Sequence, residues 1–398
     1  MSALVLRLAV TSFTPLAAQI REDIGFSSTI VGVFGMVPTA MFALFGLGTP
    51  LIVRWLGLEQ TALLAMLMAG VGMLVRALVG DTLSLLALSA LALAGMGIGN
   101  VVIPPLVKRY FSGRLALMSS MYIVAVQIGT IAPAFVAVPL ADAFGWRVSI
   151  AVWALVGFAA AVPWIFVLAG NRSRGATPTV AAPPLAAPAG QSRGVAWRSP
   201  LGWGMVGMFG MTSMITYSMF TWIPKILGAA GASPAFGGSM VGLFAFTGLV
   251  GAIAAPTLCA RMKNPFPIVV GCAVCFLVAF GGLLFAPMDA PILWIVLLGL
   301  GPSTFPMSLA LINLRTRSHV GSSTLSGFTQ GAGYTAACLG PVLFGVLYEL
   351  SEGWVMSFGF LTLGVVVLLV AAYQACKPRM LEDSWPAAAE PEAALRYA

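Results

Sequence analysis

No aspartate or glutamate stands in the interior of any long apolar stretch of this 398-residue chain, although twelve occur in it. That absence excludes a buried carboxylate as proton carrier, cation ligand or general acid. Histidine occurs once, as His319 in the basic loop Arg315-Thr316-Arg317-Ser318, so there is no histidine cluster for catalysis. The five cysteines are odd in number, and Cys272 and Cys275 form a C-x-x-C inside an apolar run with no second pair and no histidine near. They fit small packing residues better than a zinc site. Charged residues make up only 8% of the chain against 60% hydrophobic, with a mean hydropathy of +0.99, which excludes a soluble globular protein. The chain carries a net charge of +8, but the positive residues sit in short gaps between apolar runs. They are topology signals and not a phosphate-binding patch, so no nucleic-acid partner is expected. Neither an enzymatic role nor a cofactor is expected.

Twelve apolar runs reach the roughly 20 residues that a bilayer crossing needs. They fall near 1–20, 28–53, 60–80, 83–107, 115–140, 147–169, 202–226, 236–260, 265–287, 290–313, 321–349 and 354–376. The apolar start runs straight into further spans, so no cleavable signal peptide is expected. Residues 171–200 are rich in Pro, Ala and Gly and contain arginine but no acid, as befits a flexible linker. The expected organisation is a first six-helix bundle over 1–170, this linker, a second bundle over 201–376 and a polar tail over 377–398. Fifteen Lys and Arg residues fall in the gaps on the linker side, among them Arg54, Lys108, Arg109, Arg261, Arg315 and Arg317. Only Arg21, Arg147 and Lys225 fall on the other side, which instead collects Glu22, Asp23, Asp81, Asp142, Asp289, Glu349 and Glu352. The positive-inside rule then places both termini, the linker and the tail in the cytoplasm, with the chain in the cytoplasmic membrane as a multi-pass monomer.

The two halves repeat. Pro133 and Gly145-Trp146 in the fifth span answer Pro341 and Gly353-Trp354 in the eleventh, and Pro15 answers Pro224. Pro50 and Arg54 answer Pro256 and Arg261, and Gly95-x-Gly97 answers Gly299-x-Gly301. The offsets stay within 204–209 residues. An all-α membrane protein of twelve transmembrane helices in two pseudo-symmetric six-helix bundles follows, a layout that places a binding site at mid-membrane between halves that rock. The glycines and prolines inside the spans permit close approach and bending.

Over essentially its whole length the chain resembles the major facilitator superfamily. Within it, Leu6-Arg7-Leu8-Ala9-Val10-Thr11-Ser12-Phe13-Thr14-Pro15-Leu16 is similar to the opening helix of the cyanate and 2-nitroimidazole transporter family. The stretch from Gly97-Ile98-Gly99-Asn100 to Lys108-Arg109, with Pro104-Pro105 between, is similar to its fourth helix, and Leu325-Ser326-Gly327-Phe328-Thr329-Gln330-Gly331-Ala332-Gly333-Tyr334 to its eleventh. The resemblance implies secondary transport by alternating access. It also implies that third helices lie away from the central cavity. One departure stands out: the loop Val53-Arg54-Trp55-Leu56-Gly57 lacks the superfamily's aspartate, so no charge relay between the halves is expected there.

Arg7 is the most informative residue. It precedes the boundary residue Arg21 by 14 positions, about 21 Å along a helix, which puts it near mid-membrane. A charge there costs on the order of 2.5–3.5 kcal/mol, so it marks a functional site by default. With no buried acid to pair it, the missing anion is the substrate. Thr11 and Thr14 share its helix face, and a guanidinium flanked by hydroxyls is a forked donor set for a carboxylate or another small anion. The competing reading is that Arg7 snorkels to the inner interface. Ser213, Tyr217 and Thr221 form a facing polar stripe, Ser326, Gln330 and Tyr334 a second, and Asn100, Tyr122 and Gln127 complete the substrate-binding candidates. Each of these is alone also a candidate for an ordinary helix–helix hydrogen bond. Arg76, five residues before Asp81, is expected to be interfacial. Trp222 is expected to anchor at the outer interface or wall the cavity.

The expected function is transport of a small anion or weak acid, cyanate-like or a related small organic solute, with protons as a candidate coupling ion. A multidrug or neutral small-molecule exporter of the same fold is the alternative. A non-transporting membrane sensor is the alternative of another class.

Overall fold

The computed structural model describes residues 1–111, 114–173 and 195–385. Most of the expected linker, the tail beyond 385 and the side chain of His319 lie outside what is described. Twelve helices follow in order: α1 (Ser2–Ile24), α2 (Ser28–Leu56), α3 (Leu58–Val75), α4 (Thr82–Tyr110), α5 (Leu115–Phe144) and α6 (Trp146–Gly170) form the first bundle. The second holds α7 (Pro200–Ala229), α8 (Pro234–Arg261), α9 (Phe266–Phe285), α10 (Pro291–Leu314), α11 (Leu339–Ser351 continuing His319–Ala337) and α12 (Val355–Ala375).

Local chemistry sets the helix starts. Ser27, Asp81, Ser199, Ser233 and Ser318 each accept a hydrogen bond from an amide of the first turn of α2, α4, α7, α8 or α11, each cap worth about 1 kcal/mol. Gly57 makes the tight turn from α2 to α3 at φ +81°, a conformation that favours glycine. Eleven of the helices are long and apolar enough to cross a membrane. The twelfth, α7, is 30 residues long but rich in Gly, Met, Ser and Thr. It can be so because α8, α10, α11 and α12 surround it, leaving it little lipid to face.

Corrections to the sequence reading begin in α1, which is not continuous. The helix ends at Thr11 and passes through a 3-10 turn at Thr14–Leu16 before resuming at Ala17. Pro15 has no amide to donate. The Phe13 amide turns to the Val10 carbonyl at 3.3 Å, three residues back, which releases the Ala9 carbonyl. Arg76 takes it. Its Nη1 donates to Ala9 O and its Nη2 to Ser12 Oγ, both at 3.2 Å, with the Phe13 ring 5.9 Å from the guanidinium carbon. Arg76 therefore does not snorkel to water; it is 1% exposed, because the break in α1 supplies the oxygens that water would otherwise supply.

Glu59 is buried at the start of α3. Arg109 lies 2.9 Å from its carboxylate and the Tyr110 hydroxyl donates to it at 3.0 Å. An acid–base pair thus exists beside the loop that lacks the usual aspartate, but it ties α3 to α4 within one bundle. Because Arg109 is half exposed, solvent screens the pair. Glu59→Gln is expected to cost about 1–2 kcal/mol of stability, measured as a lowered midpoint of thermal unfolding in detergent.

The bundles meet along α2 with α7 and α11, α5 with α8, and α1 with α7 and α8. Close approach is concentrated at the end that carries Asp23, Asp81 and Glu349. There the Thr29 amide donates to Glu349 at 2.9 Å, and the Thr29 hydroxyl also bonds this carboxylate. A Cβ on Gly32 would lie 2.7 Å from the Pro341 carbonyl oxygen. Trp222 is fully buried, neither lipid anchor nor cavity wall: its indole donates to that same carbonyl at 2.9 Å and its ring packs on Phe344 and Trp354.

Toward the arginine-rich end the same faces separate. Phe135 of α5 fills the space before Gly242 of α8. Beyond the level of Gln127 and Ala245, Val124, Met121 and Leu117 on α5 and Val250 and Ile253 on α8 are exposed. The molecule is closed at its acidic end and splayed at its basic one.

Candidate functional site

Arg7 extends from the first half of α1 into the space between the bundles. Protein surrounds it, yet its side chain is only partly buried. Its Nη1 donates to the Tyr217 hydroxyl of α7 at 2.9 Å, so this bond joins the two bundles. The ring of Phe42 on α2 lies 4.9 Å from the guanidinium carbon. A cation over an aromatic face gains on the order of 2 kcal/mol once desolvated. The hydroxyls of Tyr334 on α11 and Tyr122 on α5 lie close enough to feel the charge of Arg7.

The rings form a connected wall. Phe42 packs edge-on against both Tyr217 and Tyr334, with centroids 6.3 Å and 5.9 Å away, and Tyr334 packs against Phe209 at 4.9 Å. Phe42 and Phe209 hold no place among the sequence candidates. Two of 24 phenylalanines in apolar runs carry no local signal, and only the fold brings them to the arginine.

The other candidates divide. Gln127 of α5 donates to the Ala245 carbonyl of α8 at 3.4 Å, spanning the bundles away from Arg7. Gln330 donates to Ser326 of its own helix at 2.8 Å. Thr11 bonds the Arg7 carbonyl at 3.2 Å, and Thr14 bonds that of Val10 at 2.9 Å. A buried threonine hydroxyl in a helix interior commonly bonds back in this way, which commits its proton and leaves its oxygen able to accept. Asn100 is half buried on α4, next to Gly99, which meets Leu6; among the described residues no hydrogen bond joins it to Arg7. The group gathered around the charge is thus Arg7, Tyr122, Tyr217 and Tyr334, with Phe42 beneath it.

Chemically this is a set of donors. A guanidinium retains free N–H groups after one bond, and phenolic hydroxyls can donate or accept. No carboxylate stands among these residues, so nothing there competes with an incoming anion for the arginine.

Comparison with known proteins accords with this architecture. The sequence model of the Major Facilitator Superfamily matches residues 1–341. The chain is 29% identical over 383 residues to an uncharacterised transporter, YycB, of Bacillus subtilis, covering 95% of this chain and 92% of that one. It is 28% identical to the 2-nitroimidazole transporter of Escherichia coli (95% and 94% covered) and 26% identical to the cyanate transport protein CynX of the same organism (92% of each). Among solved structures, a bacterial homologue of the human lysosomal transporter Spinster, inward-facing and occupied, superposes with a TM-score of 0.72 at 13% identity over 97% of both chains. A D-xylose–proton symporter gives 0.66 at 12% identity over 95% and 96%. These two likenesses concern the fold. A multi-pass helical chain with paired six-helix bundles, matched by the family's sequence model over residues 1–341, belongs to the Major Facilitator Superfamily and is a membrane transporter, not an enzyme.

Proposed function

We propose that this chain carries a small anion or weak acid across the cytoplasmic membrane by alternating access, with Arg7 as the anion-binding charge. The observation that carries the reading is a deep arginine between the bundles, ringed by tyrosine hydroxyls and without a carboxylate. A buried cation in low dielectric calls for a counter-charge, and one only partly buried between the two bundles can take it from a solute. In this reading the arginine-rich end is cytoplasmic, with both termini, so the splayed end opens inward. Residues 1–170 and 201–376 then form the two moving bodies. Concentrating a monovalent anion inside opposes about 2.3 kcal/mol per 100 mV, so uptake needs a co-transported cation or a metabolic sink. With no carboxylate beside Arg7 to relay a proton, the proton travels on the weak acid itself.

The aromatic wall favours a second reading, a planar neutral or weakly acidic heterocycle stacked on Phe42 and Tyr334. Its polar group would accept from Arg7, as suits a relative named for 2-nitroimidazole. A thermal-shift screen of the purified protein against small anions, weak acids and nitroheterocycles separates the two, since a ligand bound only by the folded state stabilises it. Counterflow in proteoliposomes separates a carrier from a sensor.

A contrast within the site checks the assignment. Tyr334→Phe is expected to weaken substrate binding about tenfold, the loss of one hydrogen bond to a charged or polar ligand. Thr11→Val is expected to leave affinity unchanged, because that hydroxyl already serves its own helix. Titration by calorimetry reads both.

A further inference from the structure

We propose that the cavity beside Arg76 binds a monatomic anion of halide size, at a site separate from Arg7. The cavity lies where α1 is broken and measures about 20 Å³, with Phe13, Thr14, Phe34, Arg76, Ser89 and Thr221 among its walls. That is room for one water molecule or one halide.

The chemistry of the walls selects an anion over water. Arg76 is buried, and its two bonds go to neutral oxygens, the Ala9 carbonyl and the Ser12 hydroxyl. Its Nε–H has no partner, and neither has the buried Ser89 hydroxyl. Both residues line the cavity, and no aspartate or glutamate does. A buried guanidinium without a counter-charge is expensive, and an unsatisfied donor adds to the cost. A halide offers both what is missing: a negative charge, and an acceptor for the Arg76 Nε–H and the Ser89 O–H at once. Water would satisfy the donors and leave the charge.

Such an ion stabilises the break in α1, because it holds the arginine that binds the released Ala9 carbonyl. The site does not depend on the substrate reading. Arg7 faces Tyr217 and Phe42, whereas the Arg76 cavity is lined by Ala9 and Val10 on the acidic side of it.

The experiment is thermal unfolding of the purified full chain as chloride replaces gluconate at constant ionic strength. The expected midpoint rises by about 2–4 °C, and rises equally in the Arg7→Gln protein. Ser89→Val, which fills the cavity without touching the bonds of Arg76 to Ala9 and Ser12, is expected to fold and to lose the increment. Crystals grown in bromide are expected to show an anomalous peak beside Arg76. Equal midpoints in chloride and gluconate overturn the proposal, as does a bromide crystal without that peak. An increment that vanishes with Arg7→Gln and survives Ser89→Val also overturns it, since the ion would then occupy the transport site.

Discussion

Arg7→Gln is expected to lower affinity for the transported solute by about 2–4 kcal/mol, roughly thirty- to a thousand-fold, while the protein still folds. The magnitude follows from a bound anion that loses both its counter-charge and a forked set of donors. Arg7→Lys should fall between the two proteins, because an ammonium keeps the charge but not the fork. Ligand-free stability is the informative control. If Arg7 served only to tie the bundles through Tyr217, its loss would lower the unfolding temperature and leave binding intact. In the binding reading the ligand-free protein loses little, since removing a desolvated charge offsets the loss of one hydrogen bond. Calorimetric titration and counterflow, run on the same preparations, decide between these patterns.

Gly32→Val is expected to shift the resting conformation. In the state described here, any side chain at residue 32 meets the backbone of Pro341 and Val342, which cannot move aside like a flexible side chain. Overpacking of this kind costs about 1–3 kcal/mol, enough to change the ratio of two conformers by roughly five- to 160-fold. The state closed at the acidic end bears that cost; a state opened there does not. A cysteine introduced for the buried Val31, in a protein without its native cysteines, should then react faster with an impermeant maleimide applied at the acidic side. Net transport should drop by about fivefold or more. Unchanged labelling together with unchanged transport would show that α2 and α11 already separate freely at this point.

Most of the fold was legible because lipid imposes a simple rule: helices of about 20 apolar residues with charges parked between them. The fourth run, expected over 83–107, is the helix Thr82–Tyr110, and the ninth, 265–287, is Phe266–Phe285. Arg7 and Tyr217 were legible for a related reason, since polar groups stand out against an apolar background and the repeat offset aligns α1 with α7. What failed was anything decided by a partner distant in sequence. Arg76 was judged by its nearness to Asp81, but its partners are 64 and 67 residues away on α1. Glu59 falls between two apolar runs, and nothing near it in sequence shows that Arg109 and Tyr110 come to it from the far end of α4. Thr11 shares the face of Arg7 by its spacing, and spacing alone does not show that its hydroxyl gives its proton to a local carbonyl.

The end of the described chain has its own consequence. Glu382 accepts from the amides of Arg317 and Ser318 and from the Ser318 hydroxyl, at 2.9–3.0 Å, while Arg317 pairs with Asp383 at 2.7 Å. Burial pushes the Glu382 carboxyl up, but these donors outweigh it and hold it below the usual carboxylate range. The Leu381 amide donates to the Arg315 carbonyl, and Arg315 reaches back to the carbonyl of Cys376. Residues 376–383 are therefore a strap across the foot of α11, not an appendage. A purification tag or fluorescent fusion belongs after Ser384, where it rides on the second bundle and reports its motion; joined at Lys377, it would cut the strap and free the start of the helix that carries Tyr334.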